Sequence, residues 1–175
     1  ERPLARGGMG ELWTARNLQL DVPVAIKLMS AHALASADMI ARFEREAKAA
    51  AQLRHANVVT VHEHGVFEEV PFMAMELLEG QDLSARLKER GRLPLAEAVT
   101  IVTFVCKALQ RAHGMGIVHR DLKPANVFLA RQDDDEIVKV LDFGIAKLLR
   151  GVLGAESTKE GAILGTPYYM APEQA

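Results

Sequence analysis

Residues 22–29 alternate along the chain: Val22, Val24 and Ile26 fall on one side of an extended backbone, the period of a half-buried strand. Residues 12–15, 58–63 and 71–75 predict further strands. Over 36–53 the period changes. Ile40, Phe43, Ala47 and Ala50 recur at helical spacing and form an inner face, with Ser36 as N-cap and Asp38 in the first turn. Glu79-Gly80 then breaks the pattern and reads as a hinge. Beyond it, 82–90 predicts a short helix closed by Gly91. Leu93-Pro94 introduces a long helix with Ala98, Ile101, Val102, Val105, Leu109 and Ala112 on one buried stripe. Gly114 is expected to end that helix as a left-handed cap, after His113 in its last turn. Two β runs, 127–130 and 137–141, flank Asp133-Asp134-Asp135, which reads as a solvated loop tip because metal ligands are normally spaced. The class is α+β: short strands around one helix up to residue 75, then a mostly helical part with one hairpin.

Composition narrows the function classes. The 175 residues are 49% hydrophobic, enough to bury a sizeable core. The net charge of −2 comes from 21 basic and 23 acidic residues that are scattered, so neither nucleic acid nor a membrane surface is indicated as a partner. No apolar run approaches the roughly 20 residues that span a bilayer, and no signal peptide is visible. Cys106 excludes an internal disulfide and, lying in an apolar stretch, is expected to be buried.

Five segments carry chemistry. Leu4-Ala5-Arg6-Gly7-Gly8-Met9-Gly10-Glu11-Leu12 sets glycines between two strands, either as a plain hairpin turn or as backbone amides open to phosphate oxygens. Val24-Ala25-Ile26-Lys27 ends a strand with a lysine, ordinarily a solvated charge. Glu46, however, lies between Phe43 and Ala47 on the apolar side of the helix, where an unpaired carboxylate is costly. Lys27 is its natural partner, and Arg42 on the surface is the alternative. His119-Arg120-Asp121-Leu122-Lys123-Pro124-Ala125-Asn126 places an acid, a lysine and an amide along one loop that Pro124 keeps out of a helix. Asp121 can take a hydroxyl proton, Lys123 can neutralise a transferring phosphoryl group, and Asn126 can ligate a metal. Leu141-Asp142-Phe143-Gly144 follows a strand, with an Asp suited to Mg²⁺ and a glycine that allows a backbone flip. Gly165-Thr166-Pro167-Tyr168-Tyr169-Met170-Ala171-Pro172-Glu173 alone is any surface loop.

Taken in order, these segments resemble the eukaryotic-like (Hanks-type) protein kinases from end to end, and Gly7-Gly8-Met9-Gly10 and the closing Pro172-Glu173-Gln174-Ala175 look like the bacterial branch. Lys123 and Gly165-Thr166 are similar to the serine/threonine class. The resemblance implies a bilobal fold: a small antiparallel β lobe with one helix (1–75), a hinge (76–80), and a mostly helical large lobe (81–175) cut after the activation segment. It implies ATP and Mg²⁺, with Mn²⁺ as an alternative, and protein substrates bearing Ser or Thr. Lys27 would hold the α- and β-phosphates, locked by Glu46; Gly7, Gly8, Met9 and Gly10 would cover them. Asp121 would be the base, Lys123 the γ-phosphate clamp, and Asn126 and Asp142 the metal ligands. Met75 matches the gatekeeper, the backbone of Glu76 to Leu78 (76–78) would bind adenine, and Leu12, Ala25 and Phe128 would sandwich the purine. Asp82 matches a ribose contact or is only a helix cap. Arg120 suggests a pocket for a phosphorylated activation loop, with Thr158 the preferred phosphosite and Ser157 the neighbouring one; Thr166 would contact Asp121 and Lys123, and Phe143 belongs to the mobile turn. The implied location is cytosolic, in a parent free or membrane-anchored, and nothing specifies an oligomeric state.

Two departures matter. Ala5 replaces the first glycine of the loop, which implies a modest loss of nucleotide affinity. The residues also stop before the hydrophobic helix that anchors the catalytic loop in this family, so this piece alone is expected to be poorly soluble and nearly inactive. Competing readings are a nucleotide-binding pseudokinase, which the full set of catalytic residues opposes, and a small-molecule phosphotransferase of the aminoglycoside type. Those enzymes usually lack the Ala-Pro-Glu segment and Lys-Pro after the acid.

Overall fold

The computed structural model describes residues 2–7, 10–30, 34, 37–143 and 169, with the side chains of residues 6, 37–39, 42, 45 and 46 outside the described set. Five strands, β1 (Arg2–Gly7), β2 (Gly10–Asn17), β3 (Val22–Met29), β4 (Val61–Phe67) and β5 (Val70–Glu76), form an antiparallel sheet in the order β1-β2-β3-β5-β4. Helix α1 (Ala37–Gln52) packs on it through Phe43 and Ala47, the face its periodicity predicts, against Met29, Val61 and Met73. Strand β4 starts later than the sequence implies. Val58 instead bridges Val140, and the strand runs on through His62, Glu63 and His64, which an edge position with one wet face permits.

After the hinge, β6 (Gly80–Asp82), β7 (Val127–Gln132) and β8 (Asp135–Val140) make a second, three-stranded sheet. Strand β6 has no alternation to announce it. Gly80, at φ +139°, lets it lie against β7, where a Cβ would run into the Leu129 carbonyl. The β7–β8 turn is the acidic tip, exposed as expected, with Asp133 in the left-handed region at φ +53°.

Helix α2 (Leu83–Arg90) is capped by Asp82, whose Oδ1 accepts the Ala85 amide at 2.9 Å, and is closed by Gly91 at φ +72°. Helix α3 (Leu95–His113) buries Ile101, Val105, Ala108 and Ala112 against β7, β8, Leu53 and Val58. Two expectations fail on it. Val102 is 59% exposed and Cys106 is exposed, because the helix is apolar on two sides and the core took the side one turn-angle away. Gly114 remains helical at φ −62°; the left-handed residue is Gly116, φ +74°, whose amide donates to His113 while Ile117 donates to Ala112 at 2.9 Å. That pair of bonds is a Schellman motif, two residues beyond the expected stop. The Arg86 guanidinium joins α2 to α3 and β8 through Glu97 at 3.0 Å and Glu136 at 2.5 Å.

Candidate active site

The cleft between the two sheets begins with register. Leu12 pairs with Lys27, and Ala25 with Met75, so by the two-residue period Leu12, Ala25, Lys27 and Met75 share one sheet face. Ala25, on that face, is only 5% exposed. Gly10 allows β2 to lie against the Leu28 carbonyl, which a Cβ would strike. Gly7 closes β1; Gly8 and Met9 lie outside the described residues. On the opposite wall Asp82, Phe128 and Lys139 face one another across β6, β7 and β8. The chain passes between the walls at Glu76 and the half-buried Leu78.

The polar centre is the loop before β7. A 3₁₀ turn, Pro124–Asn126, is closed by the Asn126 amide donating to Lys123. Lys123 Nζ donates to Asp121 Oδ2 at 2.8 Å; Asn126 Nδ2 donates to the same oxygen at 3.3 Å and to the Asp121 carbonyl at 2.8 Å. Both donors thus converge on one carboxylate oxygen, and the Asn126 amide nitrogen is spent inward, which leaves its carbonyl oxygen able to accept or ligate. Arg120 is exposed and sits in the left-handed region at φ +62°, as does Asp142 at +51°. Non-glycine residues hold such angles only where surrounding bonds impose them, and two flank the acidic centre.

Those bonds run through His119. Only 2% exposed, it donates Nε2–H to the Leu141 carbonyl at 2.8 Å, since a carbonyl can only accept. Its Nδ1 accepts the Asp121 amide at 3.3 Å. Burial pushes its pKa below the ordinary histidine value, against the opposing pull of the Leu141 carbonyl and the Asp142 charge. The ring tilts against buried Phe143, centroids 4.8 Å apart, and Phe143 joins the core beside Leu53 at the end of α1. The Leu141 amide donates to the Asn126 carbonyl, so the turn after β8 is tied to both ends of the 119–126 loop.

Lys27 Nζ donates to Asp142 Oδ1 at 2.7 Å, joining the two walls. Burial opposes ionisation of Asp142, but the Lys27 ammonium and its hydrogen bond, aided by His119 and Lys123, hold the carboxyl below its usual range. Asp142 is therefore a carboxylate, and with the Asn126 carbonyl it offers the hard oxygens that suit Mg²⁺. A narrow crevice, with a cavity volume of only about 20 Å³, is lined by Met75, Ala50, Leu53, Val61, Asp142 and Phe143. Glu46 is in α1, but its side chain lies outside the described residues, as do Ser157, Thr158 and Thr166. Three participants escape sequence reading. Asn57 (6% exposed) donates to the Val138 carbonyl, the Leu141 carbonyl orients His119, and Lys139 binds Glu76. Only Asn57 and Lys139 are side chains, and each reads as an ordinary polar residue beside a strand.

Comparison with known proteins agrees with this geometry. The protein kinase domain family model matches residues 1–175. The serine/threonine-protein kinase pkn3 of Myxococcus xanthus is 44% identical over all of this chain and 32% of that protein. PknA of Mycobacterium tuberculosis is 38% identical over all of this chain and 40% of that protein. The crystal structure of the Mycobacterium tuberculosis PknI kinase domain superposes with a TM-score of 0.74 at 35% identity, covering 83% of this chain and 58% of that one. The chain thus spans well under half the length of these curated relatives, and among its described residues no helix is long and apolar enough to cross a membrane. A full-length family match, identities near 40% and a shared fold leave one assignment: the chain belongs to the protein kinase family, in its bacterial serine/threonine branch.

Proposed function

We propose that this chain is the nucleotide-binding and phosphoryl-transferring core of a kinase that moves the γ-phosphate of ATP to protein Ser or Thr hydroxyls. The observation that carries the reading is the convergence of Lys123 and Asn126 on one oxygen of Asp121. It fixes the carboxylate while its other oxygen faces an incoming hydroxyl. In the step, the hydroxyl oxygen bonds to the γ-phosphorus, the bond to the β-phosphate oxygen breaks, and the hydroxyl proton passes to Asp121. Lys123 neutralises charge on the transferring group, and Lys27 orients the α- and β-phosphates. Asn126 and Asp142 would hold Mg²⁺, which when bound neutralises the phosphates; Mn²⁺ suits the same oxygens.

Adenine would lie between Leu12 and Ala25 above and Phe128 below, against the backbone of 76–78 and bounded by Met75. Asp82 is spent on capping α2, which supports the structural role over the ribose contact, though its second oxygen stays available. Gly7 and Gly10 keep the β1–β2 hairpin narrow over the phosphates. The lobes divide at residues 76–80. Arg120 would receive a phosphate on Thr158 or Ser157, Glu46 would reach Lys27 when Asp142 turns to metal, and Phe143 and Thr166 would follow that rearrangement. The test is transfer from γ-labelled ATP to a generic basic protein by the longer parent kinase. Asp121→Asn should lose about 10²–10⁴-fold and Lys27→Met about 10²–10³-fold; equal labelling by all three would end the kinase reading.

A further inference from the structure

Among the described residues, helix α2 has no buried member. Its first residue, Leu83, packs on the core only in part, so apolar burial fastens this short helix weakly. Its next turn is fastened by charge. Arg86 leaves only 11% of its side chain exposed and divides its guanidinium between two other elements. Nη1 and Nη2 fork onto the two carboxylate oxygens of Glu136 on β8, at 3.2 and 2.5 Å, and Nη1 also donates to Glu97 on α3 at 3.0 Å. Arg90, one turn on, donates to the other Glu97 oxygen at 3.2 Å, so two cations balance two carboxylates. Arg86 Nε is buried with no hydrogen-bond partner among the described residues. The fork is made at the expense of that third donor, so the carboxylates on β8 and α3 fix where the side chain lies.

The fork bears on the cleft through the residue that heads the helix. Asp82 Oδ1 accepts the Ala85 amide at 2.9 Å, which leaves its other oxygen able to accept a ribose hydroxyl. Arg86 stands one turn further on, about 6 Å along the axis. The same helix lies against the 3₁₀ turn Pro124–Asn126 and against β7. A tilt of α2 away from β8 would carry its cap along. We propose that Arg86 is a positioning residue for nucleotide selectivity: by clamping α2 to β8 and α3, it holds the Asp82 carboxylate where a ribose hydroxyl meets it. Arg86 itself does not touch the nucleotide. This rests on the ribose contact at Asp82 in the kinase reading above.

The experiment compares, in the parent kinase, equilibrium binding of ATP with that of dideoxy-ATP, which lacks both ribose hydroxyls. The ratio of the two Kd values does not depend on how much of the protein is folded. Arg86→Met keeps a long, helix-favouring side chain and removes the fork. It should weaken ATP binding about three- to tenfold and leave dideoxy-ATP nearly unchanged, so the preference for ATP falls by the same factor. Arg86→Lys, a point charge without the fork, should fall in between. Glu136→Gln should lower the preference too, and adding it to Arg86→Met should change little. An arginine that served stability alone would lower the unfolding midpoint and keep the preference, and a preference kept in Arg86→Met overturns the proposal. Asp82→Ser, which can still cap α2 but has no second oxygen, separates the two readings. If it abolishes the preference while Arg86→Met does not, the ribose contact stands and Arg86 does not position it. If Asp82→Ser keeps the preference as well, the ribose contact fails and the proposal fails with it.

Discussion

His119 and Asp142 are held in opposite chemical types, a neutral base and an ionised acid, by the same few atoms. Both have pKa values below their ordinary ones, and the sign of the consequence is shared. As pH falls below the ordinary histidine value of 6.5, the unfolded chain takes up the His119 proton first, so its contribution to stability, complete above that pH, declines towards the lower folded value. Asp142 repeats this below 3.8. Ring NMR should show His119 titrating below 6.5 with the proton on Nε2; a midpoint above 6.5 would refute the burial argument. Lys27→Met should move the Asp142 titration upwards, since burial then acts with its main opponent removed. At this scale the sequence was most legible where polar residues follow one another in one loop, as from His119 to Asn126. The Lys27–Asp142 pair was not legible, because it joins residues 115 positions apart that each had a different expected partner.

Helices and strands were legible where one face is apolar and the other polar, and illegible elsewhere. Helix α1 has such a face and was placed correctly. Helix α3 carries Leu95, Val99, Val102 and Cys106 on a second apolar side, and periodicity alone does not choose between two hydrophobic stripes. Strand β6 was hidden because three residues are too few to show a period, and its requirement is for a missing Cβ at Gly80. Two glycines of positive φ therefore predict different costs. Alanine at Gly116 meets nothing within 4 Å and bears only the left-handed penalty, about 1–2 kcal/mol. Alanine at Gly80 adds a collision with the Leu129 carbonyl and must break the β6–β7 pairing, for about 3 kcal/mol or more. Denaturant unfolding of the two variants in the parent kinase should rank them in that order, and equal losses would mean that β6 yields without cost.

Besides the Lys27–Asp142 and Glu76–Lys139 pairs, a short segment that lies across β8 ties the two sheets together. Residues 58 and 59 were expected to open strand β4. Instead the Val140 amide donates to the Asn57 carbonyl at 2.8 Å, the Val59 amide donates to Val140 at 3.1 Å, and the Asn57 side chain donates to Val138. A strand-like apolar pair, Val58-Val59, suits either pairing, and only the position of β8 in space decides between them. The whole assembly was therefore legible only through its resemblance to a family, whereas the contact of this segment with β8 includes one buried side-chain amide, Asn57, that no sequence pattern announces. Asn57→Ala removes the donor and leaves the Val138 carbonyl short of a partner in a buried place, at a cost of about 1–3 kcal/mol. Asn57→Asp is nearly isosteric but puts a carboxylate, which can only accept, against that carbonyl, and an unpaired buried charge costs about 3–5 kcal/mol. If docking is governed by the hydrogen bond, unfolding midpoints should fall in the order wild type, Asn57→Ala, Asn57→Asp. If it is governed by shape, the aspartate should match wild type and the alanine should be worst. The gap should narrow at low pH, where the aspartate is protonated and regains a donor.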